Sequence, residues 1–586
     1  MRARAGRSRW FGLALAAVAL GAAILPAAAQ PEMPLGDARL DALARRYFDE
    51  QWRLDPIRAT RVGVHDYDDQ LGSFSADAFA ERVASARRYL DELNAIDPSS
   101  MGAEASYDAQ ILRAHLEFTL LDLGEVQSWK HDPAFYTRLA SSAIYGLISE
   151  DFAPLPDRVR SVVARERGIP ALLDAARANI VATDAVTSQI AERDIAGAIA
   201  FFSSVVPQAV APARDAALQA QFQAANGAVL AALRAYLAAL EAGPFAHPAG
   251  SFALGPGRFA EMLRLQELEP ISLARYESVG IDALAATKAE FVATAKTIDP
   301  STSPAAVMAS LGADHPAAGD LLKQATVDLV SLRRFVTERG LVTLPPDDDV
   351  EVVPTPVYAR STTFASMNAP GPLETKATRA YYNVTPAEAD WTPARREQHL
   401  AFFNAYAFPL VSAHEVMPGH YLNFALDRHE KLSLVRRLLP SPSFAEGWAH
   451  YCEQMMVDEG WGNGDPRVRL AQLALALQRE CRYLVGLREH TQNMSVDEAT
   501  AFFEQNAFMG EEPARREALR GTQDPLYGYY TLGKLELLKL RSDYRKLTGT
   551  RFSLRLFHDE FLAHGDPPIA IVRKILLGAD DDGKLL

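Results

Sequence analysis

His414-Glu415-Val416-Met417-Pro418-Gly419-His420 departs from the H-E-x-x-H signature of zinc sites by placing its second histidine two positions late. In the ordinary motif the histidines are four apart, about one helical turn, so both imidazoles face one metal while the glutamate faces its water. A gap of six rotates His420 by roughly 240° from His414 on a regular helix, so a shared metal requires a break between them. Pro418 and Gly419 occupy that interval. Proline removes a backbone donor and crowds the carbonyl four residues earlier, here that of His414, and glycine tolerates backbone angles that other residues avoid. The stretch therefore predicts a metal site on a helix deformed at one place, with His414 and His420 as ligands.

A catalytic zinc commonly takes three protein ligands and keeps one position open, with His-His-Glu a standard set. Twenty-six residues beyond His420, Glu446 opens the run Glu446-Gly-Trp-Ala-His450-Tyr-Cys-Glu453. Glu446, His450 and Glu453 follow i, i+4, i+7 spacing and share one helix face. Two carboxylates and an imidazole amid Trp448, Ala449 and Met455 are costly to bury unless they meet a metal or its surroundings. Glu446 is thus the predicted third ligand. Glu415, adjacent to His414, points elsewhere and is expected to act as base toward a metal-activated water. A purely structural site would need a fourth ligand, for which His450 is best placed, and would leave Glu415 without a task.

Outward from this core, alanine, leucine, glutamate and arginine predominate with apolar residues at three and four spacing, the mark of amphipathic helices. Helices are predicted over 37–53, 76–95, 105–123, 159–180, 209–242, 273–298 and 317–339, then 393–408, 432–439, 444–459 and 466–488. One exception spans about 341–385, where 350–358 and 379–384 are β-type runs separated by Gly, Pro and Asn. The expected fold is a large, mainly α protein with a central cleft and a small antiparallel sheet next to the metal-binding helix. An exposed sheet edge there can hold an extended peptide by main-chain hydrogen bonds, unless the hairpin is merely structural.

Residues 1–29 read as an export signal: Arg2, Arg4, Arg7 and Arg9 precede an apolar core at 11–25 and the small residues Ala27-Ala28-Ala29. An uncleaved anchor is the competing reading, although the apolar run is short for a span. Cleavage takes the formal charge from −14 to −18, which argues against nucleic acid and anionic membranes as partners. A soluble periplasmic or secreted setting is expected, with no stable membrane insertion after cleavage, since no later stretch reads as a span. Residues 30–340 form an N-terminal helical region and 341–586 the hairpin plus catalytic region of one unit. Cys452 and Cys481 permit a disulfide that no spacing rule demands.

Four blocks, His414-Glu415-x-x-Pro418-Gly419-His420-Tyr-Leu, Glu446-Gly-Trp-Ala-His450-Tyr-x-Glu453, His490-Thr, and Arg520-Gly-Thr-x-Asp524-Pro-x-Tyr527-x-x-Tyr530-Thr-Leu-Gly533-Lys534, resemble the bacterial domain of unknown function 885 (DUF885) family of zinc-peptidase-like proteins. Gly419-His420-x-Leu422 also looks like the ending of the motif in helical zinc peptidases related to thimet oligopeptidase and angiotensin-converting enzyme. The resemblance implies Zn2+ held by His414, His420 and Glu446, Glu415 as base, and Tyr530 as the transition-state donor. It departs at Asn423, where a glutamine is expected, and at Gly486, where many relatives carry aspartate. The expectation is an exported zinc metallopeptidase cleaving small peptides. A metal-dependent hydrolase of other amides or esters, or a catalytically silent peptide-binding protein, are the alternatives.

Overall fold

The computed structural model describes residues 37–242, 250–345, 350–356, 360, 363–388 and 391–586, so the predicted signal at 1–29 lies outside the described residues. Helices dominate, and most begin where the sequence offers a cap. Asp37 accepts from the amides of Arg39 and Leu40 to start Ala38–Leu54, Ser75 caps Ala76–Asn94, and Ser495 with Glu498 forms a capping box. The predicted helix at 273–298 is found as Leu273–Ile298. That predicted at 209–242 starts later, at Ala216, because Arg214 takes a left-handed φ of 51° and Asp215 caps the new start through Leu218 N.

The N-terminal core is built from Ala134–Ser149, Leu155–Asn179, Ala185–Ala200 and Ala216–Ala242, around Tyr136, Val162, Phe202 and Tyr236. The run Ala185–Ala213, with mean hydropathy 1.5, is long and apolar enough to cross a membrane by length and composition alone, which the sequence pattern did not bring out. Here it is broken by a π turn at Phe201–Val205 and sends Ile190, Ile195, Phe201 and Phe202 into the core.

The sheet is mixed rather than antiparallel. Strands β1 (Val350–Pro354), β2 (Ala365–Asn368) and β3 (Ala380–Val384) lie in the order β1-β3-β2, with β1 parallel to β3 and β2 antiparallel to it. The two β-type runs of the sequence do pair, but the chain between them crosses over and contributes β2, so they cannot form a hairpin. The Tyr382 hydroxyl lies 3.0 Å from Ser412 Oγ, tying the central strand to the motif helix.

The segment after β2 is anchored to the N-terminal half. Leu373 N donates to Val62 O at 2.8 Å, and a Cβ on Gly63, whose φ is 94°, would lie 2.3 Å from Glu374 N. His65 completes the joint, with Nε2 2.7 Å from Glu374 and Nδ1 2.9 Å from Asp68. Burial disfavours the His65 charge, but the two carboxylates outweigh it and push its pKa up to about 9. Burial likewise opposes ionisation of Glu374, yet His65 and the Lys376 amide bring it down to about 2. The His65 contribution is complete below 6.5 and lost as pH rises through about 9; that of Glu374 is complete above 4.5 and lost as pH falls through about 2. Glu374→Gln is therefore expected to lower the thermal midpoint most between pH 4.5 and 6.5, and less in alkaline buffer. Melts of both proteins across pH check this, and a pH-independent difference would reject the ion pair.

Candidate metal centre

The motif helix, Phe408–Glu415, ends one residue after His414, and a new helix, His420–His429, begins at the second histidine. Between them the chain turns across a cis Met417–Pro418 peptide. Its polar groups are satisfied locally: Val416 N donates to Ser412 O, Gly419 N to Ala413 O at 2.9 Å, and Trp448 Nε1 to Pro418 O at 2.9 Å. Gly419 is required by close approach, since a Cβ there would lie 1.9 Å from His414 O. This interruption brings the two imidazoles to a ring separation of 4.8 Å at 87°.

Glu446 stands on Pro442–Asp458, the helix that crosses Tyr529–Thr548. Two glycines let these backbones touch: a Cβ on Gly447 would lie 2.5 Å from the Gly533 carbonyl carbon, and one on Gly533 would lie 1.8 Å from Ser443 O. Glu446 is thereby held with Oε2 3.4 Å from His414 Nε2 and 3.4 Å from His420 Nε2. Two ligand atoms each about 2.1 Å from a tetrahedral metal lie about 3.4 Å apart. One ligand atom from each of the three residues lies within 4.8 Å of the others. Glu446 Oε2 is buried and makes no well-formed hydrogen bond, an orphaned acceptor aimed between two imidazoles. Burial opposes its ionisation, but the charge of His420 and the contacts of both histidines overcome this and hold its carboxyl well below the usual range.

Glu453, two turns along the same helix, is fully buried with Oε1 2.7 Å from His414 Nδ1 and 2.7 Å from Arg479 Nη2. Arg479 also approaches His414 Nδ1, at 3.5 Å, but the shorter carboxylate contact sets the tautomer and leaves Nε2 free to act as a ligand. A carboxylate on the far nitrogen of a histidine is the usual support of a metal ligand. His450 does not join the ligands; its Nδ1 lies 3.2 Å from Glu453 Oε2. The residues thus fit a divalent ion with two nitrogen donors and one oxygen donor. Glu453→Gln is expected to weaken zinc affinity about 10- to 100-fold while the protein remains folded, measured by chelator competition beside circular dichroism. Unchanged affinity would strip Glu453 of this role.

Glu415 is fixed from the other direction, its Oε2 accepting from Met367 N of β2 at 3.0 Å. The Tyr530 ring stacks on His414 at 6.5 Å, its hydroxyl accepting from Arg520 Nη2 at 3.1 Å. Arg482 and Arg479 lie over the same ring at 5.0 and 5.8 Å. Arg479 and Arg482 were not singled out by the sequence pattern, though a dense charge run, Arg479-Glu480-Cys481-Arg482, inside the leucine-rich helix Pro466–Thr491 marks them. His490 bridges backbones, with Nε2 2.9 Å from Gly521 O and Nδ1 accepting from Leu254 N. Asn423 donates to the buried Asp566 at 2.7 Å. At Gly486 a Cβ would meet Pro525 O at 2.8 Å, so an aspartate would not fit without a shift. Cys452 and Cys481 are buried free thiols.

Fold and cluster define a large, mainly α-helical protein with a candidate divalent-metal centre. The chain belongs to the family described as bacterial protein of unknown function (DUF885), whose sequence profile matches residues 56–576. It is similar in structure to a candidate lipoprotein of unknown function from Shewanella oneidensis, with 25% identity, a TM-score of 0.78, and 92% of this chain matched to 100% of that one. A candidate lipoprotein from Colwellia psychrerythraea matches with 17% identity and a TM-score of 0.72 over 92% of this chain and 98% of that one. No curated protein sequence matches the chain.

Proposed function

We propose that the protein is an exported, zinc-dependent peptidase acting on short peptides. One observation carries this reading: the orphaned Glu446 Oε2 stands 3.4 Å from two imidazole nitrogens, one of whose rings is braced by a buried carboxylate. When bound, zinc polarises a water and a carbonyl and lowers the proton affinity of the water. Glu415, anchored by the Met367 amide, takes the proton from the attacking water and passes it to the leaving amine. Tyr530, oriented by Arg520, donates its hydroxyl to the oxygen that gains charge during attack. Because β2 is an edge strand, the outer main-chain groups that Glu415 and Thr363 leave open can receive an extended peptide beside Glu415. The basic and apolar N-terminal residues, together with similarity to candidate lipoproteins, support export.

The test is metal content and turnover of a peptide library by purified protein, with chelation and zinc restoration. Cleavage that is lost on chelation and restored by zinc is expected. Protein without stoichiometric metal, or metal-dependent cleavage of esters but not peptides, would overturn the peptidase reading.

A further inference from the structure

Three arginines surround the Tyr530 ring, the guanidinium carbons of Arg482, Arg520 and Arg479 lying 5.0, 5.6 and 5.8 Å from its centre. Two of them are committed to acids at close range. Arg482 gives Nε and Nη2 to the two oxygens of Glu517 at 2.6 and 2.8 Å. Arg479 gives Nη2 to Glu453 at 2.7 Å and Nη1 to Leu475 O at 2.9 Å, and its unpaired Nε is sealed from solvent. These two side chains are only 11% and 10% exposed.

Arg520 differs from both. Its side chain is 37% exposed, and its polar contacts all run through Nη2: to the Tyr530 hydroxyl at 3.1 Å, the Tyr529 hydroxyl at 3.2 Å and Asp524 Oδ2 at 3.5 Å. Asp524 is the most distant acid of the three pairs, and the same oxygen already accepts the Tyr529 hydroxyl at 2.9 Å. Nε and Nη1 of Arg520 make no hydrogen bond among the described residues, and neither is sealed from solvent. The least compensated charge of the cluster, with donors unspent, thus stands against the hydroxyl proposed to meet the carbonyl under attack. A carboxylate is the group that an accessible guanidinium binds most strongly. Position decides which carboxylate. An extended peptide advances about 3.3–3.6 Å per residue, so one residue spans the gap from the carbonyl on Tyr530 to the adjoining guanidinium, and two would carry the carboxylate about 7 Å on.

We propose that Arg520 binds the terminal carboxylate of the substrate and makes the protein a carboxypeptidase, which removes single C-terminal residues from short peptides. This rests on the peptidase reading of the metal centre and adds to it the end of the chain that is cut. Water gives its oxygen to the penultimate carbonyl carbon, the C–N bond breaks, and the proton taken by Glu415 passes to the amine of the released amino acid. Arg520 moves no proton. It sets the register through its unspent donors while Nη2 holds the two tyrosine hydroxyls.

The test offers zinc-loaded protein a set of acetyl-alanyl-alanyl-X tripeptides, with X varied, as free acids and as C-terminal amides. The free acids should be cut with release of X, and the amides at least about ten-fold less efficiently, because they lose a charged hydrogen bond. Arg520→Ala should slow the free acids about 10- to 100-fold more than the amides and so erase the preference, whereas Tyr530→Phe should slow both alike and keep it. That contrast separates carboxylate capture from the orientation of Tyr530, which serves both substrates equally. The acid–amide comparison in the parent needs no variant and stands if Arg520→Ala does not fold. Equal cutting of acids and amides, release of any fragment other than X, or an undiminished preference in Arg520→Ala would overturn the proposal and leave the peptidase reading intact. If no peptide is cut, calorimetry with the same pairs decides: tighter binding of the free acids, lost in Arg520→Ala, would keep the carboxylate site while the peptidase reading falls, and equal binding would remove the site as well.

Discussion

Replacing Glu415 by glutamine is expected to cut peptide turnover by about three orders of magnitude while leaving zinc bound. The amide is nearly the same shape as the carboxylate and keeps an oxygen to accept from Met367 N, so the contact with β2 survives. What it lacks is basicity. On the proposed mechanism the proton would be moved in the transition state and not on binding, so the loss should fall on kcat with KM little changed. Steady-state kinetics with zinc analysis of the same sample decides the matter. Loss of metal in step with activity would make Glu415 a ligand or a folding residue, and retained activity would remove it from the chemistry.

Replacing Glu446 by alanine is expected to behave in the opposite way, lowering zinc affinity at least about a hundredfold and abolishing turnover together with the metal. His414 and His420 alone offer two donors, and two nitrogens do not complete the three-ligand set of a catalytic site. In the parent, added zinc should raise the thermal midpoint by mass action, and in Glu446→Ala this increment should vanish. A variant that still binds stoichiometric zinc at parental affinity would eliminate Glu446 as ligand. Taken as a pair, the two variants separate the residue that moves a proton from the residue that holds the ion.

The break at Pro418-Gly419 was legible because it follows from angular arithmetic: histidines six apart cannot share an ion on an unbroken helix. The shared face of Glu446, His450 and Glu453 was legible for the same reason, but spacing could not rank them. Only distance separates Glu446, facing two Nε2 atoms, from Glu453, on the far nitrogen of His414, and from His450 behind it. Strand β2 was not legible. Ala365-Ser-Met-Asn has no β-branched residue, and its register, Met367 opposite Tyr382, is imposed by a neighbour that is itself buried. The parallel pairing of β1 with β3 was hidden too, since no local pattern distinguishes a crossover from a hairpin when the intervening chain is irregular. Gly486 shows the limit from the other side: its departure from the resemblance reads as a lost partner in sequence, whereas in three dimensions the space is filled by Pro525 and Tyr527.

The contact of Gly447 with Gly533 has a mechanical consequence. No side chain lies between the two backbones at this crossing, so the helix carrying Glu446 and the helix carrying Tyr530 are expected to move as one block. Glu446 and Tyr530 would then keep their spacing through any displacement of these helices, whereas His414, Glu415 and His420, which stand on other helices, would not be bound to follow.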